Sequence, residues 1–153
     1  WGRRFTYAVT TAYADNGWCP STVPAGNGSS ICVTHPGNIT ILSRGAAGPT
    51  AGLPAMTVAA AVISHGKNGN NAFQSTGVQL PAAVVNAFDE NTNSASAAVP
   101  FATTATYLMR DAWPTQAVCN DNAAGTMCEF DDLVIGIDVG RLVNRLVTAG
   151  RLP

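Results

Sequence analysis

The stretch Phe130–Pro153, FDDLVIGIDVGRLVNRLVTAGRLP, decides the fold class, because it reads as one strand followed by one helix. Leu133, Val134, Ile135 and Ile137 form a short apolar run rich in β-branched residues, as a buried strand requires. Asp138 can cap the next helix by accepting from free amides of its first turn. Val139, Leu142, Val143, Leu146 and Val147 then fall at i, i+3, i+4, i+7 and i+8, which makes one apolar stripe. Arg141, Asn144, Arg145 and Thr148 face the other way. Gly150 can take the left-handed conformation that ends a helix, and Pro153 cannot continue one. This end of the chain carries strong structural signals and no catalytic chemistry.

Working outward, the 153 residues suffice for one domain, residues 1–153, with a real core. Only 11% of them are charged and the net charge is −1, so the surface must be covered by Ser, Thr, Asn, Gly and Ala. Such a balance argues against nucleic acid, which needs a basic patch or stripe. No run approaches the ~18 apolar residues of a membrane span. The opening Trp1-Gly2-Arg3-Arg4 leads straight into strand-like sequence, so the chain is expected to be a processed product whose targeting segment has been removed.

The four cysteines fall in two local pairs, Cys19 with Cys32 and Cys119 with Cys128. Neither pair has zinc-site spacing. Three disulfide pairings are possible. The two local ones are favoured, because loop formers fill both intervening stretches. Each would contribute roughly 2.5–3 kcal/mol in the chain-entropy account. Disulfides imply an oxidising, extracytoplasmic compartment; four reduced, buried cysteines are the alternative.

Alternation over Arg4–Tyr13 predicts a half-buried strand, Ile39–Leu42 a second, and Thr103–Met109 a further one. Met56–Ser64 reads as one central strand buried on both faces, ending at a turn over His65–Gly69. Pro81–Phe88 suits a short helix with Pro81 at its first position, and Asp89–Ala98 reads as a polar loop. The connections are too irregular for repeated βαβ units. The expected fold is therefore α+β, an antiparallel sheet with irregular disulfide-braced loops and a short C-terminal helix.

Several residues carry potential chemistry, each beside a blander account. Ser64, His65 and Lys67 share a turn, but nucleophile and base need a geometry that turn neighbours rarely provide, so polar residues on a hairpin are expected. His35, before Pro36, has no visible partner. Asp131 and Asp132, with Glu129 nearby, would point to opposite faces along a strand and so could not serve one substrate. Asp89, Glu90, Asn91 and Asn93 are the better calcium candidates, being hard oxygen donors on an expected loop. They lack the full calcium-loop pattern, and the expectation is no cofactor. The Gly-rich stretches fit neither phosphate-loop nor dinucleotide spacing.

Three stretches resemble one family. Trp1-Gly2-Arg3-Arg4-Phe5-Thr6-Tyr7 is similar to the Asp-Pro-Trp-Gly-x-Pro-(Phe/Tyr)-x-Tyr segment that opens the globular headgroup of type IV pilin-like proteins and type II secretion pseudopilins. Arg4 stands where that family often has Pro. Val62–Gly69 resembles a strand–turn of those headgroups. Phe130–Ile135 with Leu142–Pro153 resembles the tail of a bacterial subgroup. The resemblance implies a pilin-type headgroup whose antiparallel sheet packs on a long apolar N-terminal helix lying before Trp1. It also implies a non-catalytic structural subunit, a major or minor pilin or a pseudopilin, which is anchored in the inner membrane by that helix and then assembles with other subunits into an extracellular filament. An exposed apolar face is expected where the helix would pack. The alternative is a small secreted carbohydrate- or calcium-binding module with Trp18 and Trp113 as stacking platforms. A secreted hydrolase around His65 would need a carboxylate brought close by the fold.

Overall fold

The computed structural model describes residues 2–10, 13, 36–44, 55–95, 105–123 and 126–150. Its elements in chain order are β1 (Thr6–Val9), β2 (Ile39–Ser43), β3 (Ala55–Val58), β4 (Ala60–Ser64), α1 (Phe88–Ala95), β5 (Ala105–Met109), β6 (Leu133–Ile137) and α2 (Val139–Thr148). The α+β class is as expected. The single antiparallel sheet is not, for the strands divide into two three-stranded sheets.

The first sheet has the order β1-β4-β6 and is antiparallel throughout, with Tyr7 opposite Val62 and Val62 opposite Ile135. The second has the order β3-β2-β5. There β2 runs antiparallel to β3 but parallel to β5, with Ile39 opposite Ala105 and Ser43 opposite Met109. A parallel pair needs a long crossover, and the chain supplies one by running through β3, β4 and α1 between the two strands.

The run Met56–Ser64, expected as one strand buried on both faces, is two strands in different sheets. The break falls at Ala59, which is wholly buried. Its N–H donates to the Ile137 carbonyl (2.9 Å), and its carbonyl accepts from the Thr10 N–H (2.8 Å), so the crossing point stays paired. Before the break, Ala55, Met56 and Thr57 are exposed. After it, Ala61 and Ile63 turn inward in strict alternation with half-buried neighbours.

The core lies between the sheets. Ile39, Ile41, Val58, Ala61, Ile63, Tyr107 and Val134 form it, with Ala8 packed alongside. Fully burying a large aliphatic side chain is worth about 1.5–3 kcal/mol, so this cluster draws the two sheets together. Gly136 on β6 marks the closest approach of the sheets. A Cβ there would stand 2.7 Å from Ile41 Cδ1 and 2.9 Å from Val58 Cγ1, so any side chain would overpack the layer.

The two helices differ in kind. The expected helix over Pro81–Phe88 is absent; its residues form extended chain and a turn, and the helix begins at Phe88, in the stretch expected to be a loop. Its inward face is polar: Asp89, Glu90, Asn93 and Ser94 are all buried. α2 follows its sequence signals more closely. Asp138 Oδ1 accepts from the Arg141 N–H at 2.8 Å, and Gly150 ends the helix at φ +66°. Yet no residue of α2 is fully buried: Val139, Leu142, Val143 and Leu146 of its apolar stripe are half-buried and Val147 is exposed. The Cys119–Cys128 disulfide forms as expected, closing the loop before β6. Cys19 and Cys32 lie outside the described residues, as do Trp18, His35 and the loop 45–54.

Candidate functional site

Three elements converge on a carboxylate cluster: the turn after β4, the first turn of α1, and the segment entering β6. Asp131 accepts at Oδ2 from the N–H groups of Lys67 (2.7 Å) and Asn68 (2.9 Å), so the turn wraps its carboxylate. Gly66, at φ +46°, lies so close to Asp131 that no Cβ would fit between them. Arg3 donates to the Gly66 carbonyl (2.8 Å) and to that of Lys67, clamping the turn from outside. Glu90 reaches the turn from α1, accepting from Asn68 Nδ2 (2.7 Å) and Asn70 Nδ2 (2.6 Å). Asp132 Oδ2 accepts from Asn93 Nδ2 at 3.0 Å. One oxygen each from Glu90, Asp131 and Asp132 lies within 4.8 Å of the others.

Asp131 and Asp132 were expected to diverge. Both precede β6, so strand alternation does not govern them, and both join the cluster. The calcium candidates on the expected loop fare differently, because a helix distributes them. Glu90 enters the cluster. Asn93 turns to β5, pairing with Leu108 at both its N–H (2.7 Å) and its carbonyl (3.0 Å), and supports Asp132. Asn91 donates to the Val84 carbonyl at 3.1 Å. Asp89 faces Arg44 (3.4 Å) and Arg110 (3.2 Å). The four do not form one ligand set.

That arginine pair belongs to a second buried network that the sequence did not reveal. Asp121 accepts from the Asp89 N–H (3.0 Å), the Cys128 N–H (2.9 Å) and Arg110 Nη1 (3.2 Å), while Arg44 donates to its carbonyl. Arg110 also donates to the Cys128 carbonyl (2.7 Å) and lies over the Phe130 ring, 4.7 Å from its centroid. Two guanidinium groups and two carboxylates thus share the interior, where burial and the neighbouring Asp121 charge push Asp89 up to about 6 against the pull of both arginines. Three of the four flank an element end or a cysteine, which is the only signal the sequence offered.

Electrostatics set the carboxylate cluster apart. Burial pushes Asp132 up to about 7, with the neighbouring Glu90 and Asp131 charges adding and the Asn93 hydrogen bond opposing. Burial likewise raises Glu90 against the pull of Asn68 and Asn70. Among the described residues, no lysine or arginine comes within ion-pair distance of any of the three. Three hard carboxylates so placed suit an oxygen-seeking divalent cation.

His65 is 3% exposed, not a surface turn residue. Its Nε2 lies 2.6 Å from Thr6 Oγ1, and its Nδ1 faces Asp132 Oδ1 at 3.9 Å. Burial lowers its pKa, with Asp131 opposing. The fold does bring a carboxylate to this imidazole. Thr6, however, opens β1 opposite Ile63, on the face that β1 shares with Ala8 and turns toward the core. A nucleophile needs access for a carbonyl and donors for its oxyanion; Thr6 serves here as a core hydrogen-bond partner.

A third feature is a surface. The outer face of the first sheet presents Tyr7, Val62 and Ile135 in one register row and Val9, Ala60 and Ile137 in the next. Phe5 and Leu133 extend it. Phe5 and Tyr7 are 69% and 70% exposed, Leu133 and Ile135 59% and 48%. Trp113, by contrast, is half-buried and bridged to Phe130, an anchor of the disulfide loop. No helix among the described residues is long and apolar enough to cross a membrane. No family model matches the chain, nor does any curated protein or solved structure.

Proposed function

We propose that this chain is the globular headgroup of a filament-forming surface subunit of the pilin or pseudopilin kind, and that it has no catalytic role. One observation carries this reading: the outer face of β1-β4-β6 is apolar across all three strands and leaves Phe5, Tyr7, Leu133 and Ile135 exposed. A sheet normally buries an apolar face against another layer, and isolated exposed apolar residues do not line up in register rows. The inner face already has its partner in the second sheet. The outer face wants a further layer, and a long apolar helix running across the strands meets that need.

That helix is the one the family resemblance places before Trp1. Subunits would polymerise through it, and the headgroup would form the outer surface of an extracellular filament. The Cys119–Cys128 disulfide and the scarcity of surface charge suit that setting. The test is the coding sequence upstream of Trp1. A short basic leader, a processing site followed by Phe and Glu, and a long apolar helix support the proposal. An ordinary signal peptide joined directly to Trp1 overturns it in favour of a secreted binding module.

A further inference from the structure

We infer that Glu90, Asp131 and Asp132 form a calcium site that pins the turn after β4, helix α1 and the entry to β6 together. Calcium takes oxygen ligands at about 2.3–2.6 Å, so two of its ligands lie at most about 5 Å apart. The three carboxylate oxygens, all within 4.8 Å of one another, already meet that limit.

The cluster alone would be an acidic patch. What marks it as a site is the pair of buried polar atoms around it that have no hydrogen-bond partner, Asp131 Oδ1 and His65 Nδ1. The side chain of His65 is only 1% exposed, and its Nδ1 points at Asp132 Oδ1 across 3.9 Å, too far for a hydrogen bond. Its other nitrogen is held by Thr6 Oγ1, so the ring is fixed in this direction. A buried polar atom without a partner calls for an ion, a water or strain to account for it, and here both idle atoms border the three carboxylates. A cation bound by Asp131 Oδ1 satisfies that oxygen directly. With the Thr6 hydroxyl donating to Nε2, His65 carries its proton on Nδ1 and can steady Asp132 as an outer-shell partner, a role imidazole commonly plays around metals.

The surroundings fit a cation rather than a protein charge. Every hydrogen bond that the structure gives these carboxylates comes from a backbone N–H or an asparagine amide. Those donors orient the oxygens without neutralising them. Water from the exposed Lys67 side is the source for the remaining ligands.

The measurement is a calcium titration of the 153-residue chain by calorimetry and thermal unfolding, after exhaustive chelation. Calcium at roughly 5 mM, above the ~10⁻⁴–10⁻³ M range of extracellular calcium modules, is expected to raise Tm by about 3–8 °C. Glu90→Gln and Asp131→Asn, read separately because either one alone is sufficient, are expected to abolish the shift or weaken affinity at least tenfold. Glu129→Gln, a carboxylate outside the cluster, keeps it. The inference is overturned if the wild-type chain neither binds nor is stabilised, or if a folded Glu90→Gln or Asp131→Asn variant binds as the wild type does.

Discussion

Asp121 shows how much one buried carboxylate can hold. It accepts from two backbone N–H groups on separate elements and from Arg110, and it is 1% exposed. Replacing it by Ala leaves Arg44 and Arg110 with one buried countercharge between them, and breaking a buried pair in that way costs about 3–5 kcal/mol. Urea denaturation should register that loss for Asp121→Ala, against a change within about 0.5 kcal/mol for the exposed Asp111→Ala. Asp132 bears on pH. Its folded pKa of about 7 stands above the ordinary 3.8, so the folded state holds its proton more tightly than the unfolded chain does. The associated stability is complete below about pH 3.8 and is lost as pH rises through 7. Glu90 works in the same direction. His65, lowered by burial, works in the other: its contribution is full above its ordinary 6.5 and fades as pH falls below it. At about 1.4 kcal/mol per unit, Asp132 accounts for roughly 4 kcal/mol at most. In chelator, Tm is therefore expected to fall between pH 5 and pH 8, and Asp132→Asn to flatten the slope. A Tm that rises over that interval contradicts this assignment.

Among the elements, α1 is the instructive one. Its face toward the protein is Asp89, Glu90, Asn93 and Ser94, so no apolar stripe announces it, and the stretch reads as a solvated loop. What makes it a helix is tertiary: Asp121 accepts from the amide of Asp89 in its first turn, and Asn93 pairs with both backbone groups of Leu108 along the free edge of β5. An asparagine side chain thereby stands in for a neighbouring strand. Asn93→Ala should cost about 2–4 kcal/mol, since it leaves two buried backbone groups unpaired. Hydrogen exchange at the Leu108 amide should accelerate in the same variant. β6 and α2, by contrast, were legible because their signals are local: a β-branched run, a capping Asp138 and Gly150. The passage from β3 to β4 was not, because an apolar run looks the same whether it stays in one sheet or changes sheet at Ala59. Of the carboxylate cluster, the sequence offered Glu90 and the Asp131-Asp132 pair separately. Their meeting depends on a turn and a helix: Asn68 lies 22 positions before Glu90 and 63 before Asp131, separations that no spacing rule spans.

At the scale of the whole molecule, burial is lopsided. The space between the sheets is closed to the point where Gly136 admits no side chain, while the outer face of β1-β4-β6 leaves Phe5, Tyr7, Leu133 and Ile135 exposed. An open face of that kind favours association. The isolated domain is expected to self-associate at high concentration in sedimentation experiments. Tyr7→Ser with Ile135→Ser should reduce that association while changing monomer stability by no more than about 1 kcal/mol, because both side chains are already largely in water. Unchanged association in the double variant would locate the contact elsewhere, and with it the face on which the filament proposal rests.

The buried Ala59 carries one more implication. Because β3 and β4 follow one another with a single residue between them, pulling either sheet apart drags on the other through a taut length of backbone. The described strands should therefore be lost in one step rather than sheet by sheet, with the slowest-exchanging amides of Ile41 and Ile63 sharing one opening free energy. On the filament reading proposed above, such a seam would be a mechanical asset, since force entering at one layer would be shared with the second.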